Sequence, residues 1–125
     1  MRTNVGTDFW DSQLFEFVVA GTQANYIGIT TDTTPPAATD TVLVGEETTD
    51  GLARTAALVS HTAGVNTASL SATFTYTGAV PKIIAKAGLF TDPIGGTLVL
   101  ETLLVPTVTV QISGDQVIVQ WNVTY

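Results

Sequence analysis

Beyond residue 25 the chain repeatedly alternates apolar and polar positions with a period of two, most clearly at its carboxy-terminal end. There Val117, Val119, Trp121, Val123 and Tyr125 fall on one side of an extended segment, with Ile118, Gln120, Asn122 and Thr124 on the other. The same alternation sets Leu70, Ala72, Phe74 and Tyr76 against Ser71, Thr73 and Thr75, and aligns Val108, Val110 and Ile112. Strands are therefore expected at Tyr26 to Thr30, Leu52 to His61, Ser69 to Thr77, Lys82 to Phe90, Thr97 to Leu104, Thr107 to Ile112 and Gln116 to Tyr125. Gly64, the run Asp92-Pro93-Ile94-Gly95-Gly96 and Gly114-Asp115 supply turns, and the second of these predicts a hairpin. Pro35-Pro36 removes two backbone donors and fixes two φ angles, which makes Thr31 to Thr41 an ordered loop or an extended edge segment.

The first twenty residues follow another rhythm. Trp10, Leu14, Phe17 and Val18 recur at steps of three and four and predict one apolar helix face, with Thr7 as cap, Asp8 and Asp11 near the positive end of the dipole and Gly21 as terminator. Phe15, Phe17 and Val19 also alternate, so a strand over Leu14 to Ala20 is the competing reading. The whole predicts one domain over residues 1–125: an all-β, antiparallel β-sandwich of jelly-roll-like type, with an arm or short helix over 1–21 and strands over 26–125.

Composition sharpens this picture. Hydrophobic residues make up 45% of the chain and charged ones 12%, well below the roughly 25% typical of soluble domains. Threonine and valine are abundant, as strands favour. The absence of cysteine removes disulfides, thiolate catalysis and sulfur-ligated metal sites. A net charge of −7, with Arg2, Arg54, Lys82 and Lys86 as the only basic residues, opposes attraction to nucleic acid or anionic lipid. No stretch approaches the roughly 20 apolar residues that span a bilayer, and no basic segment leads into an apolar run with a cleavage site, so a soluble, unprocessed chain is expected.

No constellation for catalysis stands out. His61 is the only histidine and sits in a turn-rich stretch after Ser60, where a solvated loop residue is expected. Neither a Gly-x-Ser-x-Gly elbow nor a phosphate loop is present. Adjacent Glu46 and Glu47 would point to opposite faces and fail to converge on one glycosidic bond. Asp32, Asp40, Asp50 and Asp92 lack calcium-loop spacing and read as turn residues. Trp10, Trp121, Tyr26, Tyr76 and Tyr125 could line a sugar platform but fit core packing better. Arg54, alone among small residues, is expected to form a structural ion pair with Glu46 that closes the intervening loop. No cofactor and no metal are expected, and no enzymatic activity.

The order of short blocks carries a resemblance. Tyr26-Ile27-Gly28-Ile29-Thr30, then Thr39 to Leu43, Gly45-Glu46 and Arg54, then Ala87-Gly88-Leu89-Phe90-Thr91-Asp92 and Gly95-Gly96-Thr97-Leu98, and finally Gly114-Asp115 with the alternating last strand, resemble small structural proteins of tailed bacteriophages and related archaeal viruses. Members often carry glutamate two residues before the Gly-Leu-Phe, where this chain has Lys86. The resemblance implies assembly: a virion structural protein, foremost a capsid decoration protein on the outer shell, with the major capsid protein or other virion proteins and further copies of itself as partners. A tail or tail-fibre component is the alternative, disfavoured by the lack of a repetitive shaft. A secreted carbohydrate-binding module is the alternative of another class. The polar amino-terminal stretch, Met1, Arg2, Thr3, Asn4 and Val5, and the loop holding Pro35 and Pro36 are the expected contact surfaces.

Overall fold

The β-branched, alternating segments pair into two antiparallel sheets in the computed structural model, which describes residues 24–124. Its strands are β1 (Tyr26–Thr30), β2 (Thr55–Ala56), β3 (Leu58–His61), β4 (Thr67–Thr75), β5 (Lys82–Phe90), β6 (Leu98–Val110) and β7 (Gln116–Thr124). One sheet has the order β2-β1-β5-β6 and the other β3-β4-β7. No helix occurs among the described residues, and the helix expected over the first twenty lies outside them. Both sheets feed one apolar core, with Ile27, Ile29, Ala87 and Leu89 from the first and Leu70, Ala72, Phe74, Val117 and Val119 from the second.

Three expectations need correction. The segment Leu52 to His61 is not one strand but two. The Ala57 amide still bonds Asn25 O (2.7 Å), one step beyond the β1–β2 ladder, after which Leu58–His61 pairs with β4 in the other sheet. Conversely, Thr97 to Leu104 and Thr107 to Ile112 merge into the single strand β6. Pro106, which follows a cis peptide bond, lies within a bulge where the step from Ile84 to Lys86 faces the longer step from Leu103 to Val108. Pro106 has no partner in the β5–β6 register and β6 is an edge strand, so proline's missing donor breaks no ladder bond there. Finally, β6 ends at Val110, so Ile112 lies in the following turn, 67% exposed, instead of continuing the buried face.

Turns lock the ends of these strands. At Asp50-Gly51 both φ angles are positive (57° and 77°), as a type I′ turn requires, and the Leu52 amide bonds Thr49 O at 3.0 Å. This turn drops Leu52 fully into the core. It also brings the backbone against the end of β4: Thr77 N–H donates to Asp50 O (2.9 Å), and a Cβ on Gly51 would overlap the Thr75 carbonyl oxygen. Tyr76, just past β4, exchanges main-chain bonds with Asp115 and Gly114 (2.7 and 2.8 Å) and donates its hydroxyl to Val80 O.

Replacing Gly51 by alanine therefore combines a disfavoured φ with a backbone clash and is expected to cost about 3 kcal/mol. Gly95 has a similar φ of 68° but open space around it, so Gly95→Ala is expected to cost about 1 kcal/mol. Urea titration of the two variants checks this, and equal losses would refute the close approach at Gly51.

Candidate functional site

The face of the first sheet turned away from the core carries the most organised polar group in the described residues. Gly28 on β1 and Gly88 on β5 stand opposite each other in register and leave a floor without side chains. A methyl at Gly28 would come within 2.7 Å of Glu46 Oε1 and 3.0 Å of the Phe90 ring, so only glycine allows both to lie there. The Phe90 ring occupies this floor, and the Arg54 guanidinium stacks on it with Cζ 3.4 Å from the centroid.

Arg54 is then tied at its rim. Nε and Nη2 donate to the two oxygens of Glu46 (2.8 and 2.7 Å), while Nη1 donates to the carbonyls of Asp92 and Gly95 (2.8 and 2.6 Å). The fork geometry of guanidinium suits this paired grip on a carboxylate. One side chain thus joins the segment before β2, the stretch after β1 and the β5–β6 turn. The pair is largely shielded, with side-chain exposures of 10% for Arg54 and 19% for Glu46.

Around this clamp, residues 31–54 cover the outer face of the sheet. Thr30 is buried, its hydroxyl 2.7 Å from Val44 O and accepting from the Asp32 amide at 3.1 Å. The Glu47 amide bonds Ile29 O (2.8 Å), and Leu43 is buried. Glu46 and Glu47 do diverge: the first meets Arg54, the second meets Lys82 at 2.7 Å. Lys86, only 2% exposed, reaches Asp32 at 2.7 Å. That bond is the main cause holding the Asp32 carboxyl below its ordinary value, followed by the bond from Thr34.

A second carboxyl group is less comfortable. Both oxygens of Glu101 on β6 are buried and receive no hydrogen bond from the described residues, although its carboxyl lies against Asp40 with Lys86 and Asp32 nearby. Burial, followed by Asp40, raises Glu101 above the usual carboxylate range. Asp40 moves the other way, chiefly because it accepts the Ala37 amide at 2.7 Å. Burial and the neighbouring Asp40 carboxyl both favour the protonated form of Glu101, and in that form its hydroxyl could donate to Asp40. Beside it is a cleft of about 260 Å³ lined by Pro36 to Ala38, Asp40 and Leu98 to Glu101.

The remaining candidates lie apart from the clamp. Pro35 and Pro36 are exposed on the covering loop. Met1 to Val5, like Trp10 and Tyr125, lie outside the described residues. His61 ends β3 with Nε2 2.8 Å from Val65 O. Tyr76 is wholly buried, and Trp121 packs against the core. Among the described residues no group of histidine, aspartate and glutamate could hold a metal ion. A shallow hollow of about 630 Å³ beside Arg54 is rimmed by Ala53, Pro93 and Ile94, but the guanidinium beneath it is engaged inward. Sequence reasoning did not anticipate Phe90 as the stacking partner or the backbone carbonyls that complete the clamp. No protein-family model, curated protein or solved structure matches the chain.

Removal of Arg54 leaves Glu46 shielded and unpaired, so Arg54→Ala is expected to destabilise by about 3 kcal/mol. Arg54→Lys, which cannot grip both oxygens and two carbonyls at once, should recover less than half of that loss. A double-mutant cycle with Glu46→Gln checks the coupling, and additive losses would contradict it.

Glu101 makes the opposite contribution to the paired aspartates. Its raised folded pKa means stability is fully present below the unfolded value and lost as pH climbs from about 4.5 through the folded value. Asp32 and Asp40, with lowered values, lose theirs only as pH falls below 3.8. Glu101→Gln is expected to raise the melting temperature at neutral pH and flatten its decline above 4.5, as calorimetry at a series of pH values would show. An unchanged pH profile would count against the carboxyl pair.

Proposed function

We propose that this chain is a structural protein of a tailed-virus particle, and specifically a decoration protein that binds the outer capsid shell without catalysis or cofactor. One observation carries the reading. The short blocks on which the viral resemblance rests are scattered along the sequence, yet they supply the parts of one device: Gly28, Leu43, Glu46, Arg54, Gly88 and Phe90, with the carbonyls of Asp92 and Gly95. Blocks spent on fastening loops to a sheet suit a scaffold, and they support a role in assembly.

In this reading the two sheets, which share one core, form a jelly-roll-like β-sandwich, and residues 1–21 supply a helix or arm. The major capsid protein, or another virion protein, is the partner, and the chain acts as a symmetric homo-oligomer on the capsid surface. Met1 to Val5 and the loop bearing Pro35 and Pro36 form the contact surface. The exposed prolines suit this, because their fixed φ angles leave little freedom to lose on docking.

Cryo-electron microscopy of the intact particle tests the assignment. Density for the chain in a repeating array on the shell is expected. Density confined to the tail would replace decoration by a tail role, and a particle without the chain would overturn the virion reading. In a shell-binding assay, replacing Pro35 and Pro36 by glycine is expected to weaken attachment by about tenfold while leaving the melting temperature nearly unchanged.

A further inference from the structure

Edge strands expose a row of unpaired backbone groups, and proteins usually blunt them with charges, proline, bulges or shortness. Among the described residues the two sheets have four edges, and these differ sharply in this respect. β2 has two residues and β3 four. β6 is long but carries Glu101, Pro106 and a bulge. β7 has none of these devices: its nine residues, Gln116–Thr124, pair with β4 in unbroken register from Thr124 to Gln116, and it contains no charged residue and no proline.

The side chains of β7 divide cleanly. Val117 and Val119 are buried, while Ile118 is 64% exposed and Gln120, Asn122 and Thr124 face solvent with it. Gln120 Nε2 donates to Asn122 Oδ1 (3.1 Å), which keeps the polar row in place. In a chain of net charge −7, two copies repel across most approaches, but two β7 edges bring no carboxylates of their own together.

We propose that β7 is a self-association edge, on which β7 of a second copy pairs antiparallel about a two-fold axis near Gln120. The three-stranded sheet then becomes a continuous six-stranded one, ordered β3-β4-β7 and back through the second copy. The second copy is the fitting occupant because an antiparallel pair of identical strands is self-complementary, equal in length and matched in twist. In that register Ile118 of each copy lies opposite Asn122 of the other, and the polar row meets its own kind. One strand pair buries less than a standard interface, so the dimer is weak and dependent on concentration. The inference names the surface for the homo-oligomer proposed above, but its test needs no particle, so either can fail alone.

Sedimentation equilibrium of the full chain at moderate salt is the experiment. A monomer–dimer equilibrium with a dissociation constant on the order of tens of micromolar is expected. Ile118→Lys and, separately, Asn122→Lys place a charge on exposed positions of the edge and should each weaken dimerisation by at least tenfold while leaving the melting temperature within a few degrees. Wild-type chain that stays monomeric at millimolar concentration would overturn the proposal. So would a dimer that both lysine variants leave intact.

Discussion

A guanidinium laid on an aromatic ring, over a floor made of two facing glycines, is the interaction on which the outer half of this structure depends. The Arg54–Phe90 stack would be a modest contact by itself. Its weight comes from what is attached to it: a carboxylate gripped at both oxygens and two carbonyls of a tight turn, drawn from three separate stretches of chain. Gly28 and Gly88 are the condition for all of it, because any side chain at Gly28 would displace the ring or the carboxylate. Sequence acts here through an absence of atoms.

The clamp explains a feature that strand periodicity alone does not. The last seven residues of β5 are buried without alternation. One side faces the common core, and the other lies under the segment that Arg54 fastens down. A lysine in that run would ordinarily be costly, yet Lys86 finds Asp32 on the covering loop. The charge helps to hold the loop that hides it. Glu101 has no donor among the described residues, and its burial beside Asp40 raises its carboxyl above the usual range.

Much of the fold was legible because β1, β5 and β7 carry apolar runs or alternation bounded by clear turn residues. Two of the misjudged boundaries failed for opposite reasons. At Ala57 the local pattern continues while the hydrogen-bonding partner changes from one sheet to the other, and only tertiary pairing records that change. At Pro106 the local chemistry argues for a break, but an edge strand tolerates it inside a bulge. In the site, Arg54 and Glu46 lie only eight positions apart and invite pairing from sequence. The partners some forty positions away act through a ring face and main-chain oxygens, which leave no charge signature. The Asp50-Gly51 turn did leave a readable signal, the dipeptide itself, since both of its positions need positive φ.

Amide hydrogen exchange followed residue by residue tests the central claim most directly, because the clamp makes residues 31–54 part of the folded unit and not a loop resting on it. The Glu47 amide, bonded to Ile29 O, and the Asp32 amide, bonded to the Thr30 hydroxyl, are the reporters. The account predicts that Glu47 exchanges as slowly as the amides of β5, and that in Arg54→Ala both reporters lose protection while those of β4 and β7 keep theirs. Fast exchange at Glu47 in the wild-type chain, alongside a protected β5, would contradict it.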